Sequence, residues 1–288
     1  MVQDSIEDII LDLQHRGILE TNKVITSKMM KGTTEGVVYI LKEGSEAKHV
    51  LKFDSEEEIK KTERFLTSYH HVKLLPDVIY THPERKFIIY SFLSGTTHVN
   101  RGKKVDWMSK VVTELLNHYV KVDQSLPWGS GEYKKESWAE YNLERYEYAG
   151  KHLSGILTID DFQFIEEILK QLPNYDDKYL IHGDNGVHNF VFEENQLKGV
   201  IDPSTMVGPV IYDFTYAFCS SPDDLDLETL RTVFTLLHSS LLSESQLINE
   251  VIFQLFCRID ICSRVHPEDL QDYLKAWNYW KTLKKSID

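Results

Sequence analysis

The chain has 288 residues, of which 42% are hydrophobic and 27% are charged. This balance is that of an ordinary globular protein and excludes disordered, collagen-like and low-complexity classes. The length suits one large domain or two lobes. The net charge of −13 has the wrong sign for a chain that neutralises nucleic-acid phosphates, so we expect no nucleic-acid partner. The same charge could attract a cationic small molecule, although solubility is the commoner reason for acidity.

The sequence carries no membrane or export signal. The longest segment without Asp, Glu, Lys or Arg covers residues 87–100 and has 14 residues, whereas a membrane-spanning helix needs about 20 mostly apolar residues. The acidic N-terminal residues lack the basic and apolar regions of a secretory signal. Cys219, Cys257 and Cys262 form no CxxC pair and predict neither a disulfide framework nor a zinc site. We therefore expect a cytoplasmic protein with no membrane partner.

The N-terminal third of the sequence predicts one helix followed by a β-rich segment. Apolar residues at helical spacing predict a helix between Ser5 and Gly17. Ser55 and Glu58 form a capping box, which predicts a second helix running to about Tyr69. Short runs of β-branched and aromatic residues predict strands at residues 24–30, 37–41, 49–53, 78–80 and 87–93. Residues 1–93 are therefore predicted to form a small β-rich lobe that carries one inserted helix.

From Val105 onward the apolar residues recur at about 3.6 positions and predict a mainly helical second lobe. This first helical pattern continues to Val122. Further helices are predicted at residues 137–153, 159–172, 227–238, 244–263 and 267–287. Between residues 179 and 201 the pattern is interrupted by three short apolar runs with polar loops between them. The predicted fold is α+β, with lobes at residues 1–93 and 94–288.

The segment that interrupts the helices carries the densest chemical signal in the chain. It contains His182, Gly183 and Asp184 in succession, then Asn189, and Asp202 after the next apolar run. Phosphoryl transfer needs a carboxylate that accepts the proton of the attacking hydroxyl, and oxygen ligands that hold Mg²⁺ on the nucleotide phosphates. Asp184 suits the first role, and Asn189 and Asp202 suit the second. The separation of Asp184 and Asn189 equals that of base and metal-binding asparagine in the kinase catalytic loop.

The β-rich lobe supplies a candidate phosphate ligand. Lys52 ends a predicted strand, where its ammonium group can reach nucleotide phosphates. The capping-box helix carries Glu63, which could fix Lys52 by an ion pair, as in kinases. The carboxylates at residues 56–58 are rivals, although acidic residues at a helix start ordinarily complement the helix dipole.

Two further segments of this lobe complete a candidate nucleotide site. Gly32 and Gly36 lie in a strand–turn–strand segment that would cover the phosphates, although the segment is not a GxGxxG motif. The apolar strand at residues 87–93 runs into a polar exit and has the form of an interlobe hinge that offers backbone groups to adenine. The alternative for this strand is an ordinary place in the core.

Together these motifs resemble the aminoglycoside phosphotransferase and choline kinase group of small-molecule kinases. The matching features lie in order over residues 32–213: Val38-Tyr39, Val50-Leu51-Lys52, Glu63 with Pro76, the hinge, HGDxxxxN, Ile201-Asp202, and Gly208-Pro209 with Asp213. The resemblance implies a protein-kinase-like two-lobed fold, ATP or GTP as phosphate donor, Mg²⁺, and a small hydroxylated acceptor.

The resemblance also implies a role for each matching residue. Asp184 would be the catalytic base, and Asn189 and Asp202 the Mg²⁺ ligands. Lys52 would bind phosphate with Glu63 as its partner, Gly32 and Gly36 would lie over the phosphates, and the Ser91 carbonyl and Leu93 amide would meet adenine. Asp213 would tie its own helix back to the catalytic loop.

The sequence departs from protein kinases at several points. The loop has Gly183 where they have arginine, Pro203 follows Asp202, and no activation segment precedes Asp213. A protein substrate is therefore disfavoured, and we expect constitutive activity. The C-terminal residues 284–288 differ from the acidic-aromatic tail of some aminoglycoside kinases, which weakens the case for an aminoglycoside acceptor.

The predicted function is Mg²⁺-dependent transfer of the γ-phosphate of ATP or GTP to a hydroxyl of a small molecule. The acceptor could be an aminoglycoside or another antibiotic, with resistance as the consequence. The alternative acceptor is a metabolite such as an amino alcohol, homoserine or a sugar. Two alternatives of another class are a nucleotide-binding pseudokinase and a metal-dependent phosphohydrolase. The sequence does not decide between monomer and dimer.

Overall fold

A computed structural model describes residues 5–30, 36–238 and 242–287. The N-terminal lobe is a five-stranded antiparallel sheet in the order β1-β2-β3-β5-β4. Its strands are β1 (Ile25–Met29), β2 (Val37–Glu43), β3 (Glu46–Phe53), β4 (Val78–Thr81) and β5 (Phe87–Ser91). Two helices belong to this part of the chain, α1 (Ile6–His15) and α2 (Glu56–Ser68).

Side chains alternate across the sheet and divide it between two cores. Leu51 and Ile89 face α1 in a small cluster of their own. Ile88 and Tyr90 face the other way and share the main core with Phe65 of α2 and with the helical lobe. This division follows from the period of two in a strand, which sends successive residues to opposite faces. Thus α2 lies between the sheet and the second lobe.

The second lobe consists of helices around one long central helix, with four short strands. The helices are α3 (Lys104–Glu114), α4 (Trp138–Leu153), α5 (Ile159–Gln171), α6 (Val210–Cys219), α7 (Leu227–Phe234), α8 (Glu244–Val265) and α9 (Leu270–Ile287). The strands form two antiparallel pairs, β6 (Tyr179–Ile181) with β9 (Met206–Gly208), and β7 (Phe190–Glu193) with β8 (Gln196–Val200). Because α8 is buried along most of its length and packs against α4, α5, α6 and α9, it forms the centre of the lobe.

The predicted fold class is confirmed, with differences at the ends of some elements. The helix predicted to reach Val122 ends at Glu114, and the amide of Val122 instead donates to the carbonyl of Lys178, 2.9 Å away. The strand predicted to reach Leu93 ends at Ser91. Strand β9 was not predicted, because three residues are too few to show a period. The boundary between residues 93 and 94 stays a prediction.

Two sequence expectations concern absences. Within residues 5–30, 36–238 and 242–287, no helix has both the length and the apolar character that a bilayer-spanning segment requires. The three cysteines are buried and free.

Candidate functional site

Asp184 lies in a loop directly after β6, where three donors hold its carboxylate. The hydroxyl of Tyr216 donates to Oδ1 at 2.5 Å. On Oδ2, the ring Nε2 of His188 lies at 2.9 Å and the amide Nδ2 of Asn189 donates at 3.0 Å. A carboxylate has about four lone-pair sites, so one remains for a further donor. Burial acts to raise the pKa of Asp184, but the hydrogen bond and charge of His188, then Tyr216, outweigh it and lower that pKa to about 2.

The backbone of this loop is fixed by Asp213, in the first turn of α6. Its carboxylate accepts from the amides of His182 at 2.8 Å and Gly183 at 3.1 Å, and from the hydroxyl of Tyr119 at 2.6 Å. Complete burial raises the pKa of Asp213 to about 7 against these hydrogen bonds. Asp213 therefore ties its helix to the loop, as predicted.

His182 orients the same loop as a neutral ring. Burial lowers its pKa to about 4. Nε2 lies 3.0 Å from the carbonyl of Ile201, so this nitrogen carries the proton, and Nδ1 accepts the amide of Asp184 at 3.3 Å. The ring thereby joins Asp184 to the segment that leads into Asp202, and it is placed to orient rather than to transfer a proton.

Asn189 and Asp202 come together beside this loop. The amide of Ile201 donates to the carbonyl of Asn189 at 2.9 Å, which sets Asp202 next to the loop. Asp202 has φ of 57°, a strained conformation outside glycine, and its side chain is 56% exposed. A carboxylate and an amide oxygen are ligands that Mg²⁺ prefers, and Mg²⁺ takes one or two carboxylates and completes its shell with phosphate and water. This candidate set has one carboxylate and one amide, so it is not a cluster of three His, Cys, Asp or Glu side chains. No such cluster occurs within the described residues.

Lys52 connects the sheet to this group. Its Nζ donates to Oδ1 of Asp202 at 2.8 Å and lies 3.5 Å from Oδ2 of Asp54. The residue is buried, 8% exposed. Burial acts to lower the pKa of Lys52, but Asp202 and then Asp54 outweigh it and raise that pKa. Lys52 is thus a charged group at the junction of the two lobes.

The predicted ion pair between Lys52 and Glu63 is wrong. Glu63 instead pairs with Arg85 in the turn between β4 and β5, with Oε2 and Nε 3.3 Å apart. The reason is the rotation of α2 about its own axis. Its buried face carries Thr62 and Phe65, and Glu63, one residue after Thr62, points about 100° away from that face. The rival carboxylates Glu57 and Glu58 pair with Lys61.

The hinge residues lie at the end of β5. Ser91 is fixed at its own backbone and side chain, since its amide donates to the Asp77 carbonyl and its Oγ accepts the Asp77 amide, both at 2.9 Å. The amide of Leu93 has no hydrogen-bond acceptor within the described residues. Gly36 (φ 69°) precedes β2, and a Cβ there would clash with the Phe53 carbonyl next to Lys52. Gly32 lies outside the described residues.

A cavity of about 450 Å³ opens next to Tyr216, which binds Asp184. Its wall comes from α4, α6 and α8 and includes Tyr141, Tyr212 and Tyr216. A larger cavity of about 610 Å³ lies between α2 and the β6–β9 pair. The described linings of both cavities include none of the predicted site residues. Of the two, the smaller cavity is the one whose wall contacts Asp184, through the hydroxyl of Tyr216.

Three contacts of the site were missed in the sequence. His188 lies four residues after Asp184 and contacts it. Asp54 follows Lys52 by two residues, and this strand spacing could have revealed their proximity. Tyr216 follows Asp213 by three residues on one helix, but nothing local links it to Asp184.

Comparison with known proteins gave one family and many related folds. Residues 35–240 match the model of the phosphotransferase enzyme family. A thermostable mutant of aminoglycoside phosphotransferase APH(4)-Ia, solved with AMP-PNP and hygromycin B, is 16% identical, with a TM-score of 0.60 over 98% of this chain and 99% of that one. No curated protein matches the sequence.

Two other solved structures have the same fold. Choline kinase from Cryptosporidium parvum Iowa II is 12% identical, with a TM-score of 0.58 over 98% of this chain and 96% of that one. Macrolide 2′-phosphotransferase MphH from Brachybacterium faecium is 13% identical, with a TM-score of 0.59 over 94% of this chain and 97% of that one. At these identities the likeness establishes the kinase-like fold.

Proposed function

The chain belongs to the phosphotransferase enzyme family, and from this premise we propose that it transfers the γ-phosphate of ATP to a hydroxyl of a small molecule. Family membership supports small-molecule phosphotransfer in general. The donor, the metal and the acceptor are part of the proposal, and GTP would suit the same donor site. The observation that carries it is the connected set of Lys52, Asp202, Asn189 and Asp184.

The nucleotide would bind between the lobes. Lys52 supplies a positive charge for its phosphates, and the free amide of Leu93 with the carbonyl of Ser91 supplies a donor and an acceptor for adenine. The segment that contains Gly32 and Gly36 would cover the phosphates. The related APH(4)-Ia was solved with AMP-PNP, which supports a nucleotide in this place.

Asn189 and Asp202 would hold Mg²⁺ through their side-chain oxygens. When bound, Mg²⁺ supplies positive charge against the charge that develops on the transferring phosphoryl group. Asp202 also accepts from Lys52, so the same carboxylate would meet the metal and the lysine. This arrangement concentrates positive charge where the phosphates would lie.

Asp184 would orient the acceptor hydroxyl and take its proton. The new bond forms between the hydroxyl oxygen and the γ-phosphorus, the bond from that phosphorus to the β-phosphate oxygen breaks, and the proton passes to Asp184. A carboxylate with a pKa of about 2 is a weak base. It suits a loose phosphoryl-transfer transition state, in which positioning of the hydroxyl matters more than early removal of its proton.

The acceptor class is set by the cavity beside Asp184. Related folds act on aminoglycosides, choline and macrolides, so an antibiotic and a metabolite such as an amino alcohol, homoserine or a sugar are both candidates. Products separate this function from its alternatives. A kinase leaves phosphate on the acceptor, a phosphohydrolase releases phosphate only, and a pseudokinase leaves ATP intact.

The test compares wild type with Asp184→Asn on a panel of hydroxylated antibiotics, amino alcohols, hydroxy acids and sugars with Mg-ATP. Since a positioned general base contributes about 10²–10⁴-fold, the variant should lose that much kcat. Its AMP-PNP affinity by calorimetry should stay near wild type. Asp177→Asn, an exposed carboxylate paired with Lys121, is the matched control and should keep full turnover. Near-normal turnover by Asp184→Asn would overturn the assignment of the base.

A further inference from the structure

Arg145 on α4 lines the cavity of about 450 Å³ and forms no ion pair with any carboxylate of the described residues. Its guanidinium is stacked between two rings, with Cζ 4.8 Å from the centroid of Tyr212 and 5.1 Å from that of Phe253. Nη1 donates to Oδ1 of Asn142 at 3.2 Å, and Nη2 donates to Oε1 of Gln254 at 2.5 Å. Both acceptors are neutral amides, and the described residues give Arg145 no ion pair. Its charge is therefore held in place but not neutralised.

The other charged groups that line the cavity are paired or exposed. Glu144 pairs with Lys135 at 3.1 Å. Asp260 pairs with Arg264 and with His152, both at 2.9 Å. Glu147 and Lys151 are exposed to solvent. Arg145 is thus the one charge of the described cavity wall that is partly buried and has no ion-pair partner.

Glu250 on α8 is a buried carboxylate whose charge acts on Arg145. It accepts the hydroxyl of Tyr175 at 2.7 Å and forms no ion pair with Arg145 within the described residues. Burial raises the pKa of Glu250 to about 7, while Tyr175 and Arg145 act to lower it. Arg145 therefore has a carboxylate in its surroundings but not at ion-pair distance.

Stacking on rings and hydrogen bonds to neutral amides stabilise a cation in a cavity wall only in part. A guanidinium has five N–H donors, and the two hydrogen bonds to amides leave three. Such a planar group of donors suits the two oxygens of a carboxylate. The group that would complete this site is therefore a planar anion.

The positions of Arg145 and Asp184 allow one small molecule to contact both residues. Tyr212, on which Arg145 stacks, contacts Tyr216 with ring centroids 5.9 Å apart. Tyr216 in turn donates its hydroxyl to Asp184. Arg145, Tyr212 and Tyr216 all line the same cavity of about 450 Å³, and Asp184 lies within hydrogen-bond distance of Tyr216.

We propose that the acceptor is a hydroxylated carboxylic acid, whose carboxylate binds Arg145 while its hydroxyl meets Asp184. This inference rests on the proposed phosphotransferase function and narrows its acceptor class. The negative net charge of the chain pointed instead to a cationic acceptor, but that charge is spread over the surface. In the described cavity wall Glu144 and Asp260 are paired and Glu147 is exposed to solvent, whereas Arg145 is positive and has no ion-pair partner.

The test uses the full chain with Mg-ATP and hydroxy acids, each compared with its carboxamide and its amine analogue. One such series is gluconate, gluconamide and glucamine, and another is glycerate, glyceramide and aminopropanediol. We expect phosphate on the carboxylates, with kcat/KM about 10- to 100-fold above that of the carboxamides, since hydrogen bonds to charged groups contribute about 1.5–3 kcal/mol. Preference for amines or carboxamides, or turnover of no hydroxy acid, would overturn the inference.

The variant Arg145→Met should abolish the preference for carboxylate over carboxamide, and Arg145→Lys should restore part of it. A loss of folded protein lowers the turnover of both acceptors equally, so it leaves the ratio of carboxylate to carboxamide turnover unchanged. Arg258→Met is the control, because Arg258 is also buried and stacked on an aromatic ring of Tyr273, yet lies outside the cavity lining. A preference that survives in Arg145→Met would contradict the assignment.

Failure of this inference and failure of the proposed function are separable. A wild-type protein that binds Mg-AMP-PNP and phosphorylates only neutral or cationic acceptors keeps the function and loses the carboxylate. A protein that binds no nucleotide loses the proposed function, and the inference that rests on it falls as well.

Discussion

Gly183 shows at the scale of one residue why the catalytic loop departs from the protein-kinase pattern. Its φ is +83°, a region that L side chains rarely adopt, and a Cβ there would lie 2.5 Å from the carbonyl oxygen of Ser204. The amide of Gly183 also donates to Asp213. An arginine cannot occupy this position in this backbone, so the loop is specified by a glycine between His182 and Asp184.

Gly183→Ala should therefore lower both the free energy of unfolding and kcat. The positive φ costs about 1–2 kcal/mol, and the clash adds to it by displacing the backbone next to Asp184. Two other glycines separate these effects. Gly17→Ala incurs only the positive φ (+69°), since nothing lies within 4 Å, and Gly155→Ala incurs neither cost. Denaturant unfolding should rank stability as Gly155→Ala, Gly17→Ala, Gly183→Ala in falling order, with turnover lost in the last. Equal stability of all three would contradict the reasoning.

Residues of the site differ in how far the sequence predicted them. Asp184 and Asn189 are five residues apart in one loop, so their spacing alone indicated that they act together. The predicted partner of Lys52 was wrong because it depends on the rotation of α2 about its axis. Glu63 lies one position after Thr62 of the buried face, so its side chain turns toward Arg85. Tyr216 and Arg145 reach the site from helices that are distant in sequence. Such contacts exist only in the folded chain.

At the scale of elements, local signals predicted most helices and strands. Ser55 caps α2 by accepting the Glu58 amide at 3.3 Å, although the Glu58 side chain pairs with Lys61 and does not complete the predicted capping box. A complete capping box at Ser137 begins α4, with its side chain accepting the Glu140 amide at 3.1 Å. The apolar periodicity predicted too long a helix where buried residues continue beyond the end of the helix. Leu115 and Tyr119 keep the helical spacing, yet the chain turns after Glu114 through a 3₁₀ segment and is buried by neighbouring elements.

Asp161 joins two elements that lie far apart in the chain. In the first turn of α5 it completes a capping box with Thr158, accepting its amide at 2.9 Å. It also accepts Nε1 of Trp277 at 2.9 Å and the ammonium group of Lys281, both on α9. Burial acts to raise the pKa of Asp161, but Lys281, Thr158 and Trp277 outweigh it and lower that pKa well below 3.8. Asp161 thus fixes the C-terminal helix on the lobe.

Asp161→Asn should lower the free energy of unfolding at pH 7 by about 2–3 kcal/mol, because a buried ion pair is broken. The native pKa lies below the unfolded value, so this contribution is present above about pH 4 and is lost as pH falls through the native pKa. Chemical unfolding at a series of pH values should show the two proteins converging in acid. Asp160→Asn, an exposed neighbour in the same first turn, should change stability by less than about 0.5 kcal/mol. A difference that persists unchanged at low pH would contradict the role of the charge.

At the scale of the molecule, the two lobes meet through α2 and through Lys52. The hydroxyl of Tyr69, at the end of α2, donates to the Leu180 carbonyl at 2.5 Å and accepts the Val120 amide at 3.0 Å. On the sheet side, Lys52 reaches Asp202 of the helical lobe. Helix α2 is thus bonded to the helical lobe, while the sheet contacts the same lobe by a charged pair at the proposed phosphate position.

This arrangement predicts that nucleotide stabilises the molecule through Lys52. Mg-AMP-PNP at about 100 times its Kd should add about 2.7 kcal/mol, which corresponds to a rise in Tm of about 5–10 °C for a chain of this size. In Lys52→Met most of this rise should disappear, because the phosphates lose their buried cation and a neutral side chain faces Asp202. Lys48→Met is the control, since Lys48 lies on the same strand but pairs with Glu46 at the surface. Thermal unfolding with and without nucleotide measures the shift of each protein against its own apo form. A full shift in Lys52→Met would place the phosphates elsewhere and would remove the link between nucleotide binding and the junction of the lobes.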